Sequence, residues 1–171
     1  MIGNDVIDIL QSRHESNWQR KGLIQKLFTI DERLLITHNP EPEIMVWTLW
    51  SMKEAAYKVY NRQTKIREYI PQKLVCKILS QRNNTIFGQV ICCENIYFTK
   101  TTLSQDVIHS IATQNLHDLN NVTEIERKEI YKDDNGIPHL LNIALNKFQD
   151  VSISHHGRFE KVVAINTPFN L

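Results

Sequence analysis

The chain has 171 residues, with 20 lysines and arginines against 19 aspartates and glutamates, for a formal net charge of +1. That length supports one domain over 1–171, or two small units over 1–114 and 122–171, with a real hydrophobic core. The charge balance argues against a protein that coats nucleic acid. No apolar run is long enough to span a bilayer and no secretory apolar segment opens the chain, so a cytoplasmic location away from membranes is expected. Cys76, Cys92 and Cys93 are too few and wrongly spaced for a zinc site, and reduced thiols fit the same compartment.

Taken in order, residues Ile2 to Leu10 are β-branched and roughly alternating, which predicts a strand. Asp5 lies in its middle, where a carboxylate is costly unless something pairs with it. Asp8 faces the other side of the strand and reads as a strand-end or turn residue. From Ser16 to Phe28 the apolar spacing is loosely helical. Thr29 reads as an N-cap, with Glu32 completing a capping box for a short helix through Ile36. Asn39 to Pro42 break the chain, and Pro42 suits the first turn of the next helix.

That helix is centred on Trp47 to Tyr60, which contains neither proline nor glycine. Trp47, Trp50, Ser51, Glu54 and Lys58 recur at three- and four-residue steps and share one face. Two readings fit this face. One is a Glu54–Lys58 pair at i,i+4, of about 0.3 kcal/mol, at the edge of a core. The other is a chemical site seated against two indoles.

After Arg62 strands are predicted at Lys73–Ser80, Thr85–Cys93, Ile96–Thr101 and Val107–Thr113, with a turn at Asn83-Asn84. A polar stretch from Asn115 to Asn121 reads as a linker. Glu124–Lys132 and Pro138–Leu141 flank Asp133-Asp134-Asn135-Gly136, a strong hairpin turn. Leu140–Lys147 reads as a short helix. Val151–His155 and Lys161–Asn166 read as strands around His156-Gly157. The class is α+β.

A carboxylate on a strand and another on a helix suit a hard cation such as Mg²⁺, which one or two carboxylates hold while phosphate and water complete the shell. Lys58, one turn beyond Glu54, is placed to reach a bound phosphate. Ser152, Ser154, His155 and His156 at a strand end offer further donors. Each feature alone has an ordinary structural explanation; together they permit a metal-assisted phosphate site.

Gly3-Asn4-Asp5 and Trp50-Ser51-Met52-Lys53-Glu54-Ala55 with Lys58 resemble the two signature motifs of the 4′-phosphopantetheinyl transferase superfamily, G-x-D and W-S/T-x-K-E-A-x-x-K. Phe28-Thr29 with Glu32 is similar to its F-S/T-x-x-E element. Gly136-Ile137-Pro138 and Ser152-Ile153-Ser154-His155 are similar to its G-K-P and S-I-S-H elements. The resemblance implies an antiparallel sheet packed against a long central helix, and a holo-acyl-carrier-protein synthase type of activity. In that activity, 4′-phosphopantetheine passes from coenzyme A to a serine of an apo acyl or peptidyl carrier protein, as in fatty acid or polyketide biosynthesis.

Carried over by position, Asp5 and Glu54 bind Mg²⁺, and Glu54 also helps deprotonate the carrier serine. By the same resemblance Lys58 would neutralise charge on the leaving 3′,5′-ADP. His155 would contact the 3′-phosphate, Ser154 would belong to the same coenzyme A-binding element, and Pro138 would lie near the adenine. The chain departs from the family at Ile7, where larger members carry a third acidic ligand, and at Ile137, where lysine is common. These departures motivate the alternative of a non-catalytic coenzyme A- or carrier-binding homologue. The basic segment holding Arg13, Arg20, Lys21 and Lys26 is the expected face for an acidic carrier. The small synthases act as trimers, so a homo-oligomer is also implied.

Overall fold

The computed structural model describes residues 1–127, 130–142 and 147–166. Among these residues, two antiparallel five-stranded sheets carry four α-helices (α1 to α4). The strands are β1 (Ile2–Asp8), β2 (Leu74–Arg82), β3 (Thr85–Cys92), β4 (Asn95–Leu103) and β5 (Val107–Thr113) in the first sheet, ordered β1-β5-β4-β3-β2. In the second they are β6 (Val122–Glu124), β7 (Ile130–Lys132), β8 (Pro138–Asn142), β9 (Lys147–His156) and β10 (Phe159–Ile165), ordered β6-β10-β9-β8-β7. The α+β class with antiparallel pairing is therefore present. No helix among the described residues is long and apolar enough to cross a membrane.

The helices α1 (Ile9–Glu15), α2 (Leu23–Leu27) and α3 (Ile30–His38) precede the 23-residue α4 (Pro42–Thr64), which opens on its proline. Leu49, Met52, Ala55, Ala56 and Val59 of α4 are fully buried. Their three- and four-residue spacing makes one apolar stripe, which α4 lays across the first sheet. Gly3 sets the closeness of that packing. A Cβ at Gly3 would stand 2.1 Å from the Ala55 carbonyl oxygen and 3.0 Å from Lys58 Cβ. Only a residue without a side chain lets β1 press against α4 there.

The remaining edge of β1 faces β9, and side chains replace the missing strand. The backbone N–H groups of Asn4 and Val6 donate to Ser152 Oγ (2.8 Å) and Ser154 Oγ (3.1 Å), and that of Asp8 donates to His156 Nδ1 (2.9 Å). Successive donors are two residues apart, and so are successive acceptors, because both strands have the same period. The sheets are thus stitched along the strand that carries Asp5.

Asp8 ends β1 and caps α1, accepting from the Leu10 and Gln11 N–H groups. It also receives a bidentate Arg158 guanidinium, whose hydrogen bonds hold the carboxyl well below its usual range. The predicted strand to Leu10 therefore stops two residues early. The Thr29–Glu32 capping box is present at α3. Its carboxylate does more than cap, because it accepts the Cys76 N–H at 2.7 Å and the fully buried Lys53 ammonium at 2.7 Å.

Other expectations are corrected. Glu124–Lys132 is not one strand: β6 and β7 lie at opposite edges of the second sheet, and residues 128–129 fall outside the described residues. The expected helix over Leu140–Lys147 is contradicted where it is described, since β8 runs to Asn142 and β9 begins at Lys147; residues 143–146 lie outside the described residues. A short apolar run fits either period, and pairing with the neighbouring strands decided it. The supposed linker contains a 3₁₀ turn over Leu116–Asn121.

Candidate active site

Asp5 points from the middle of β1 toward α4 and β9. Ser154 Oγ donates to its Oδ1 at 3.0 Å, and Ser51 of α4 donates to its backbone carbonyl at 3.3 Å. Burial pushes the Asp5 carboxyl up, with Lys58 and Ser154 opposing that shift. Glu54 is pushed up to about 7, first by burial and then by the charge of Asp5. The two carboxylates come from a strand and a helix, and both line one cleft of about 330 Å³. Its walls are largely apolar, with Ile7, Leu23, Leu27, Trp47 and Trp50 among them.

Lys58 takes neither role of the simple helix-surface pair. Among the described residues it makes no ion pair with Glu54. Its Nζ instead donates to the carbonyls of Asn4 (2.6 Å) and Ile153 (3.2 Å), and stands 4.0 Å from Asp5 Oδ1. Burial pulls the ammonium's pKa down, against the attraction of Asp5 and Glu54. It lines a second, larger pocket of about 630 Å³ together with Arg62, Arg127, Lys132, Pro138 and His155. His155 is exposed and lines both cavities, so it stands at their seam.

The residues singled out from sequence therefore divide. Asp5 and Glu54 face the smaller cleft, while Lys58, Pro138 and His155 face the larger pocket. Ser154 lines neither cavity. It is buried, accepting from Val6 and donating to Asp5, so it orients that carboxylate. Ile137 is buried beside Pro138 in the larger pocket and offers no charge.

Three cations in that pocket escaped sequence reasoning. Arg62 follows Lys58 by four residues, a spacing that signals a shared helix face. It is held by Asp150 (3.0 Å) and by the carbonyls of Val151 (2.6 Å) and Pro138 (3.1 Å). Arg127 pairs with Glu160. Lys132 sits opposite Pro138 in the β7–β8 pairing. Nothing local in the sequence marks Arg127 or Lys132: the β7–β8 pairing brings Lys132 there, and Arg127 lies beyond the end of β6.

Two desolvated carboxylates repelling each other across one cleft are a donor set that a divalent cation relieves, with water and phosphate completing its shell. Among the described residues no group of three or more His, Cys, Asp and Glu forms a metal cage. The arrangement thus suits an ion shared with an anionic ligand. Of the basic segment, Arg13 is bidentate to Glu43, whereas Arg20, Lys21 and Lys26 are exposed around α2.

No curated protein matches this chain. The sequence model of the 4′-phosphopantetheinyl transferase superfamily matches residues 1–112, which hold β1, all four helices and the strands through Ala112. Asp5, Glu54 and Lys58 fall inside that match, and Pro138, Ser154 and His155 outside it. The chain belongs to the 4′-phosphopantetheinyl transferase superfamily.

Proposed function

We infer that this chain transfers 4′-phosphopantetheine from coenzyme A to a carrier-protein serine in a Mg²⁺-dependent reaction of the holo-acyl-carrier-protein synthase type. One observation supports this above the others. Asp5 and Glu54 meet in a cleft whose neighbour is a basic pocket, and His155 lines both. The larger pocket has the volume and charge for an adenosine bisphosphate, with Lys58, Arg62, Arg127 and Lys132 facing its phosphates and Pro138 its base. The smaller cleft leaves room beside the carboxylates for the pantetheine side and the incoming serine.

Asp5 and Glu54 are the residues that would hold Mg²⁺, with Ser154 keeping Asp5 in orientation. Bound there, the ion would neutralise pyrophosphate charge and polarise the phosphorus under attack. The serine hydroxyl oxygen attacks the phosphorus nearest the pantetheine, and its proton passes to Glu54 directly or through water. The bond from that phosphorus to the bridging oxygen breaks, and 3′,5′-ADP leaves with the electron pair. Lys58, fixed by two carbonyls, faces that developing charge without reorganising. Ile7 supplies no third carboxylate, so Asp5 and Glu54 would hold the ion with water and phosphate as its other ligands. The exposed Arg20, Lys21 and Lys26 flank Leu23 and Leu27, which line the cleft, and would suit the acidic helix of a carrier.

Mn²⁺ titration followed by electron paramagnetic resonance tests the metal assignment. Wild type should bind one ion more tightly in the presence of coenzyme A, and Asp5→Ala should lose this binding while remaining folded. Equal affinity in the two proteins would exclude Asp5 as a ligand.

A further inference from the structure

A buried hydroxyl beside this site lies within reach of the Glu54 carboxylate without a well-aligned hydrogen bond to it. Tyr69 lies between α4 and the 3₁₀ turn Pro71–Lys73, and its hydroxyl makes no hydrogen bond of good geometry among the described residues. Its ring is held edge-on by Trp50, at 5.7 Å and 84°, and by Tyr57, at 4.9 Å and 68°. Trp50, Glu54 and Tyr57 occupy one face of α4, four and then three residues apart, so the ring is clamped across the turn that presents Glu54. The hydroxyl falls close enough to the Glu54 carboxylate for each to act on the other's charge.

Leaving a buried hydroxyl unpaired costs about 1–3 kcal/mol, and phenylalanine would fill the same aromatic clamp without that cost. Hydrogen bonds of a catalytic site are often long before substrate binds and tighten afterwards. We propose that Tyr69 is a positioning residue: in the substrate-bound enzyme its O–H donates to one Glu54 oxygen, turning the other toward Asp5 and the attacking serine. This rests on the transferase reading above. The aromatic clamp fixes the ring, so the hydroxyl has little freedom to find another acceptor.

Tyr69→Phe in the full chain isolates the hydroxyl. kcat should fall about tenfold while KM for coenzyme A stays within about twofold, the pattern of an interaction made chiefly in the transition state. The melting temperature should hold or rise, since an orphan polar group is removed. Unchanged kcat overturns the proposal. So does a lowered melting temperature with KM and kcat both impaired, which is what a merely structural role gives. If wild type transfers nothing, the transferase reading fails by itself, and Mn²⁺ affinity still tests Tyr69. In that case Tyr69→Phe weakens Mn²⁺ binding about fivefold if the hydroxyl orients Glu54; equal affinity overturns the proposal.

Discussion

Lys58 Nζ stands 4.0 Å from Asp5 Oδ1 while donating to the carbonyls of Asn4 and Ile153, so one ammonium ties α4 to β1 and β9 at once. Its charge is fixed in space before any ligand arrives. Under the transferase reading, Lys58→Ala should lower kcat by roughly 100-fold, as loss of one preorganised charge does. Lys58→Arg should not restore it, because a planar guanidinium cannot repeat the point-like contacts to two carbonyls. Steady-state kinetics with a fixed carrier checks both variants.

A second lysine of the same helix has a different task. Lys53 is fully buried, bonded to Glu32 at 2.7 Å and to the carbonyls of Leu27 and Pro71. Lys53→Met strands the Glu32 carboxylate and should cost about 3–5 kcal/mol in urea unfolding. Adding Glu32→Gln should recover part of that loss by removing the uncompensated charge. A double variant no more stable than the single one contradicts this pairing.

Gly3→Ala places a methyl group where the Ala55 carbonyl stands. Pushing β1 off α4 should cost about 1–3 kcal/mol. It should also reduce transfer more than stability alone explains, because Asp5 moves with its strand. Comparing unfolding and activity below the melting transition separates the two effects.

His109 lies across from Val6 in the β1–β5 ladder, 3.3 Å from Asn4 Nδ2. Burial, helped by Lys161, pulls its pKa from 6.5 to about 4. The folded state therefore binds its proton more weakly than the unfolded chain. Stability from this group is fully present above pH 6.5 and is lost as pH falls through 4, by up to roughly 3 kcal/mol. His109→Gln should flatten that part of the stability–pH profile, measured as urea midpoints between pH 7 and pH 4.

Local chemistry was legible in the sequence where its partners were local. The Thr29–Glu32 capping box was readable because both halves lie within one turn. Its bond to Lys53 was not, since it joins residues 21 apart. Asp5 stood out as a charge in an apolar strand, and Glu54 and Lys58 as charges beside indoles. Ser154 looked like a ligand contact, but β9 turns it inward, where it serves Asp5 and the Val6 N–H. The helix expected at Leu140 failed because that apolar run carries no decisive period, and ladder pairing settled it. Arg127 and Lys132 had no local signature; Lys132 reaches the basic pocket through the β7–β8 pairing, and Arg127 lies there paired with Glu160 of β10.

The most direct test is intact-mass analysis of apo carrier proteins from fatty-acid, polyketide and peptide systems, incubated with this chain, coenzyme A and Mg²⁺. The account predicts that an acceptor gains one phosphopantetheine mass with wild type, and that the gain disappears with Asp5→Asn, Glu54→Gln or chelator. Intact binding of coenzyme A and carrier with no mass gain on any acceptor would contradict it.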